Sequence, residues 1–292
     1  MLREETLFGI EDKVQRSIDR LQSFCPPEGY ILAFSGGKDS QCIYHLAKMA
    51  GVKFEAVYNV TSVDPPELVR FIKKNYPDVT FQIPRDNDGK PVTMWNLIAK
   101  KGILPMVHTR FCCEKLKESS HKGRLVVTGV RWDESIRRKN LHGIVSTRET
   151  EAPEGVQYKM NDRGSVILNN DNDESRRMVE HCYRTSKVLI NPIVDWTEED
   201  VWEFLNEVAK VPHCCLYDEG FKRLGCIGCP IGSTKQRQSE FERWVKYKRP
   251  YINAIKRMLK RKEHGTWMAS DGRLLTDPEE IFNDWLNCGG KT

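Results

Sequence analysis

The chain has 292 residues, 39% of them hydrophobic and 30% charged, enough to bury a large core in one big domain or two small ones. No apolar run approaches the roughly 20 residues needed to cross a bilayer, so no membrane span is expected. The net charge of +5 suits a small phosphorylated ligand as well as a polyanion.

The opening MLREETLFGIEDKVQRSIDRL mixes acids and bases without an apolar signal core, which makes the cytoplasm the expected location. Within it Leu7, Ile10, Val14, Ile18 and Leu21 recur at helical spacing and predict an N-terminal helix that Pro26-Pro27 ends. An apolar run from Tyr30 to Phe34, a glycine turn and a helix over about 39–50 follow. Next come a run from Phe54 to Tyr58, a helix over 66–74, a run from Val79 to Ile83, a helix around 94–100 and the run Leu125-Val126-Val127. Strands alternating with helices predict an α/β fold, a mainly parallel twisted sheet with helices on both faces. From about Thr147 to Arg184 the composition turns polar, centred on residues 169–173, and reads as an insertion, either a lid or a solvated excursion. Order resumes over Val188 to Ile193. Thr197, ahead of Glu198, Glu199 and Asp200, is a helix cap, with Trp202 read as core beside Trp196. Residues 236–262 predict one long basic helix. The expected organisation is a helix over 1–28, a nucleotide-binding α/β domain over 29–234 with its insertion at 147–184 and the CxxC at 226–229, and a basic helix and tail over 235–292, the sheet being joined by a C-terminal helical and metal-binding segment.

Ser35-Gly36-Gly37-Lys38-Asp39-Ser40 lies between the first predicted strand of the sheet and a helix. Backbone N–H groups and the helix dipole hold phosphate or sulfate at such a junction; the glycines permit close approach, the two serines donate and Lys38 adds charge. After the run ending at Val127, Gly129, Arg131, Ser135 and Arg138 form a second candidate anion site at a strand's carboxyl end, where guanidinium forks suit phosphate and sulfate oxygens.

Ten cysteines in a reducing compartment read as metal ligands, redox groups or buried side chains. Cys112-Cys113 and the distant Cys226-Ile227-Gly228-Cys229 form a candidate four-thiolate metal site. Adjacent cysteines diverge awkwardly for one tetrahedral zinc, whereas a cubane offers separate irons, so [4Fe-4S] is the expected cofactor and zinc the alternative. Cys214 and Cys215 read as packing or supporting residues, and Cys25, Cys42 and Cys182 as plain buried residues.

The SGGKDS loop resembles the PP-loop of the N-type ATP pyrophosphatases. Together with the arginine segment, the stretch Asn191 to Thr197 and the Cys-Cys and CxxC pairs, it makes residues 30–230 resemble the sulfonucleotide reductases, that is, the phosphoadenosine phosphosulfate (PAPS) and adenylylsulfate (APS) reductases. The resemblance implies an adenine nucleotide alpha hydrolase-like fold, an adenylyl sulfate substrate reduced to sulfite, an iron-sulfur cluster, a thiol donor such as thioredoxin, and attack by a tail cysteine, here Cys288. Two departures stand out: Asn287 occupies the family's glutamate position with no histidine beside it, and residues 59–64 lack the usual threonine-glycine turn. Two further readings therefore stay open. One is an ATP-dependent sulfurtransferase resembling DNA phosphorothioation or tRNA thiolation enzymes, with Lys235, Arg237, Arg243, Lys246, Lys248 and Arg249 facing nucleic acid. The other is a catalytically silent nucleotide-binding protein.

Overall fold

The computed structural model describes residues 1–6, 9–118, 121, 123–134, 145–146, 158–160, 166–168, 188–262 and 264–288. The chain forms two compact units, each drawn from separate stretches: Met1–Tyr58, Arg70–Phe81 and His121–Arg223 in the first; Asn59–Val69, Gln82–Ser120 and Leu224–Thr292 in the second. This differs from the contiguous division read from the sequence, because the CxxC motif clusters with the C-terminal helices. Most of the polar insertion, with Cys182, lies outside the described residues. Among the described residues no helix is long and apolar enough to cross a membrane.

The first unit opens with a hairpin, β1 (Arg3–Thr6) and β2 (Gly9–Asp12), and the helix α1 begins only at Lys13 and runs to Ser23. The helix expected from Leu7 is corrected here. Asp12 caps α1 by accepting from the Val14 and Gln15 N–H groups at 3.0 Å, and Ile10, counted in the helical stripe, is 77% exposed.

The main sheet follows the order β5-β4-β3-β6-β10-β7, comprising Thr80–Gln82, Phe54–Asn59, Tyr30–Ala33, Leu125–Val127, Val188–Ile190 and Val145–Ser146. β3 pairs in parallel with β4 and β6, and β6 with β10, while β7 runs antiparallel. Ile31, Val57, Val126 and Leu189 form one apolar face, and the apolar character of these short strands matches a sheet covered on both sides. The chain moves outward from β3 through β4 to β5, then returns to place β6 on β3's other flank, so the connections leaving β3 and β6 diverge. That reversal opens a crevice at their carboxyl ends. α2 (Lys38–Met49) follows β3, and α6 (Glu198–Glu203) follows β10 behind a capping box of Thr197 and Asp200. Trp196 is 1% exposed and donates to Ser17 Oγ at 3.1 Å, as a core residue should. Trp202 is instead half-buried, edge-on to His213 and Tyr217.

In the second unit α4 (Met94–Lys101) packs on α8 (Lys248–Arg261), and α9 (Pro278–Cys288) packs on α7 (Thr234–Arg243) and α8. Phe241, Tyr251, Phe282 and Trp285 form the aromatic centre, with Tyr251 stacked on Trp285 at 5.1 Å. The single helix expected over 236–262 breaks at Trp244 (φ −117°, ψ 58°). Pro250 lacks the N–H that an uninterrupted helix would use there, so it sits in the first turn of a fresh helix, where the loss costs nothing.

On α2, His45 Nε2 meets Tyr76 OH at 3.2 Å, and Tyr76 OH donates to Gln41 Oε1 at 2.8 Å. Burial holds the His45 imidazole down to about 4 from an ordinary 6.5. The unfolded chain therefore binds a proton there that the folded chain refuses, so this contribution is present above pH 6.5 and lost as pH falls towards 4. Urea unfolding at pH 7 and pH 4.5 should show the wild type losing about 2 kcal/mol more than His45→Gln across that interval.

Candidate functional site

The loop after β3 is built for an anion. Gly36 has φ +73°, which a side chain would strain, and Gly37 starts α2 without any side-chain cap, leaving the helix's first N–H groups to their surroundings. Ser35 is exposed and its Oγ donates to Ser40 Oγ at 3.1 Å; Ser40 Oγ donates to Gly37 O at 2.8 Å. Beside it Ala33, the last residue of β3, is exposed although β3 is flanked on both sides by strands. A central strand exposed at its carboxyl end is where ligands of open α/β sheets bind.

Gly129 follows β6 and lies against the first turn of α2. A Cβ there would come within 2.9 Å of the Asp39 carbonyl carbon and oxygen, so only glycine fits. The loop is tied down by Thr128 N donating to Ile190 O at 2.9 Å and Trp132 N donating to Val194 O at 2.7 Å. Arg131, expected as an open anion clamp, has a different role. It is 2% exposed; Nε donates to Asp39 Oδ1 at 2.6 Å, and Nη1 to Asp133 Oδ2 and Trp196 O, each at 3.3 Å. Burial alone would lower its pKa, and the Asp39 carboxylate outweighs this, leaving it raised. Arg131 thus fixes the β6 loop to α2. Ser135 and Arg138 lie outside the described residues.

Lys38 is also buried. Its Nζ donates to Lys222 O at 3.2 Å and lies 3.8 Å from Glu198 and 3.9 Å from Asp39. Tyr217, which the sequence reading missed, accepts from Lys38 N at 2.8 Å, with its ring under the Lys38 ammonium at 5.7 Å. Its one sequence cue, an aromatic residue after Cys214-Cys215, is masked by the thiols. Cys214 is buried and Cys215 exposed, and both lie in the first unit, apart from the other two cysteine pairs in the second.

Cys112, Cys113, Cys226 and Cys229 are all free thiols of the second unit. Cys112 and Cys113 occupy the short helix α5 (Phe111–Cys113). They share a proton: the hydrogen bond between them pushes Cys112 up and Cys113 down, and the charges of Cys226 and Cys229 push Cys112 further up. Cys226 is pushed up by burial, and its charge in turn raises the Lys117 ammonium. The CxxC turn is held from three sides. Ile227 N donates to Val63 O at 2.8 Å, Gly228 N to Glu240 Oε2 at 2.8 Å, and Tyr251 OH to Ile227 O at 3.0 Å. Residues 59–64, which depart from the family pattern, support the same turn: Cys226 Sγ donates to Thr61 Oγ1 at 3.4 Å, and Thr61 is fixed by Asp64.

Among the described residues no three Cys, His, Asp or Glu side chains converge on one ion, as zinc with sulfurs at about 2.3 Å would need. The four thiols are soft donors, the type that iron-sulfur clusters and zinc both take. Cys288 does not sit in a mobile tail. It is the last residue of α9, exposed, its Sγ donating to Ser270 Oγ at 3.1 Å.

Residues 29–231 match the phosphoadenosine phosphosulfate reductase domain family. An uncharacterized protein of Methanocaldococcus jannaschii is 27% identical over 85% of the chain and 53% of its own length. The "Probable FAD synthase" of Schizosaccharomyces pombe is 24% identical over 76% of the chain and 69% of its own length. The adenosine 5′-phosphosulfate reductase of Allochromatium vinosum is 34% identical over 19% of the chain and 21% of its own length. The chain spans about half the length of the first of these.

Replacing Arg131 by Gln should cost roughly 1.5–3 kcal/mol in urea unfolding, because Asp39 loses its charge-assisted hydrogen bond. An unchanged midpoint would return Arg131 to the role of an open ligand clamp.

Proposed function

The chain belongs to the phosphoadenosine phosphosulfate reductase domain family, and from that membership we propose that it binds an adenylyl sulfate, APS or PAPS, and reduces it to sulfite through a cysteine thiol. The observation that carries the reading is the exposed carboxyl end of β3 at Ala33, followed by exposed Ser35 and the start of α2. There the substrate's anionic groups meet the backbone N–H groups of the loop and the Ser35 hydroxyl, displacing Tyr217 OH from Lys38 N, and Lys38 turns its ammonium from Lys222 O to phosphate or sulfate.

In this reading Cys288 Sγ, as thiolate, attacks the sulfate sulfur. An S–S bond forms, the sulfur–oxygen bond to the nucleotide breaks, and its electron pair leaves with the adenylate. A dithiol such as thioredoxin then attacks Cys288 Sγ, expels sulfite and closes its own disulfide, supplying the two electrons. Cys112, Cys113, Cys226 and Cys229 would hold a [4Fe-4S] cluster, which when bound would tune the electrostatic field around the sulfate.

A specific observation favours a second reading. Cys288 ends α9 with its Sγ donating to the hydroxyl of Ser270, which is no base. An ATP-dependent sulfurtransferase needs no attack by Cys288: the loop would hold ATP, an acceptor would be adenylated with release of pyrophosphate, the outer sulfur of a persulfide loaded on the cysteine centre by a sulfur donor would displace AMP, and a second thiol would free the thiolated acceptor as it closes a disulfide.

Anaerobic purification with iron, sulfide and zinc analysis, then incubation with APS, PAPS or ATP plus reduced thioredoxin, separates the two. The reductase reading expects about four irons per chain and sulfite formation that falls at least a hundredfold in Cys288→Ser. Pyrophosphate from ATP without sulfite would replace it with the sulfurtransferase. Cys226→Ser should abolish iron retention in either case.

A further inference from the structure

The chain's positive charge is unevenly placed. The second unit carries 20 Lys and Arg against 14 Asp and Glu, while the first carries 26 against 27. Within the second unit, residues 243–262 hold nine Lys or Arg and no acid. Not all of these face solvent: Arg243 pairs with Glu67 at 3.4 Å, and Lys248 lies over the Phe282 ring at 5.7 Å. Arg237, read from the sequence as part of a nucleic-acid face, is 0% exposed and donates to Trp285 O and Leu286 O at the end of α9.

What remains is more sharply defined than the run itself. α8 buries Tyr251, Ile252, Ala254, Ile255, Met258 and Leu259, and its exposed face consists of Arg249, Asn253, Lys256, Arg257, Lys260 and Arg261. Solvated helix faces ordinarily interleave acids with bases at i, i+4, which lowers repulsion; this one has no acid. Against it α4 brings Lys100, and between the two helices lies a cavity of about 350 Å³ lined by Asn96, Ala99, Lys100, Arg257, Lys260 and Arg261. Among the described residues none of these four cations has a carboxylate partner, and Arg257 Nη1 donates only to the neutral Asn96 Oδ1, at 3.2 Å. Complementing helix dipoles accounts for cations in the last turns, Lys100, Lys260 and Arg261, but not for Arg249 and Lys256, which lie further back along α8.

We infer that this face binds the phosphodiester backbone of a nucleic acid, with phosphate oxygens entering the groove at Lys100, Arg257, Lys260 and Arg261. The extent of the stripe argues for a polymer: the 14 residues of α8 span roughly 21 Å, far more than one phosphate occupies. A membrane surface is the poorer fit, because the exposed face of α8 offers no aromatic or aliphatic side chain to enter a headgroup layer. The contacts are sequence-independent and act by counterion release. The inference stands apart from the reaction, since it uses none of the residues assigned to it.

Fluorescence anisotropy of a short labelled duplex with the full chain, between about 50 and 200 mM salt, tests it. Arg257→Glu/Lys260→Glu should lose more than tenfold in affinity and reduce the log–log salt slope by about 2, since each phosphate contact contributes roughly 0.9. The charge-matched control Lys73→Glu/Lys74→Glu, on exposed residues of the first unit, should change neither by more than about twofold. Circular dichroism and the unfolding midpoint establish that both variants fold. Equal loss in the two variants, salt-independent binding, or binding to anionic vesicles without binding to the duplex would each overturn the assignment.

Discussion

A guanidinium that is 2% exposed has to be neutralised where it stands, and Arg131 is neutralised by Asp39 at 2.6 Å. That pairing sets the geometry of the first unit's crevice. Asp39 belongs to the first turn of α2, and Arg131 to the loop after β6. Closing the bond therefore clamps the two strand exits on either side of the switch point. Gly129 is the steric half of the same clamp, because no side chain fits between it and the Asp39 backbone. With the clamp shut, the uncapped N–H groups of α2 and the open end of β3 at Ala33 occupy one place.

Much of this was legible in the sequence because it is local. The apolar runs became strands within a residue or two, and the SGGKDS loop occupies the expected strand-to-helix junction, since turn chemistry and helix capping act over a few residues. The failures share a cause of the opposite kind. Arg131 was read as a ligand group because a sequence shows its charge but not the carboxylate 92 residues away. Tyr217 was overlooked because its partner, the Lys38 N–H, is 179 residues distant. Ile10 continued a helical pattern by coincidence, while Asp12, a stronger local signal, started the helix two residues later.

The thiols show the same limit from another side. Their identities and pairing as Cys-Cys and CxxC were readable, but what steadies them was not. Thr61 and Asp64, set aside as a departure from the family pattern, turn out to hold Cys226, and Glu240, in a segment read only as basic, anchors the Gly228 N–H. Cys288 was the reverse case: the family resemblance implied a tail cysteine, whereas the helix-forming residues from Pro278 onward carry it into the last turn of α9.

The discontinuity of the second unit has a bearing on order in time. Its three stretches begin at Asn59 and end beyond Leu224, and 112 residues separate Cys113 from Cys226. Contacts so far apart form late, after the loop-closure entropy of the intervening chain has been overcome. On a ribosome the first thiol pair emerges while the second has yet to be synthesised. A group held by all four thiols would therefore be acquired only after the sequence through Cys229 exists and the aromatic centre at Tyr251 and Trp285 has begun to close behind it. Capture of such a group and completion of the second unit would then be one event.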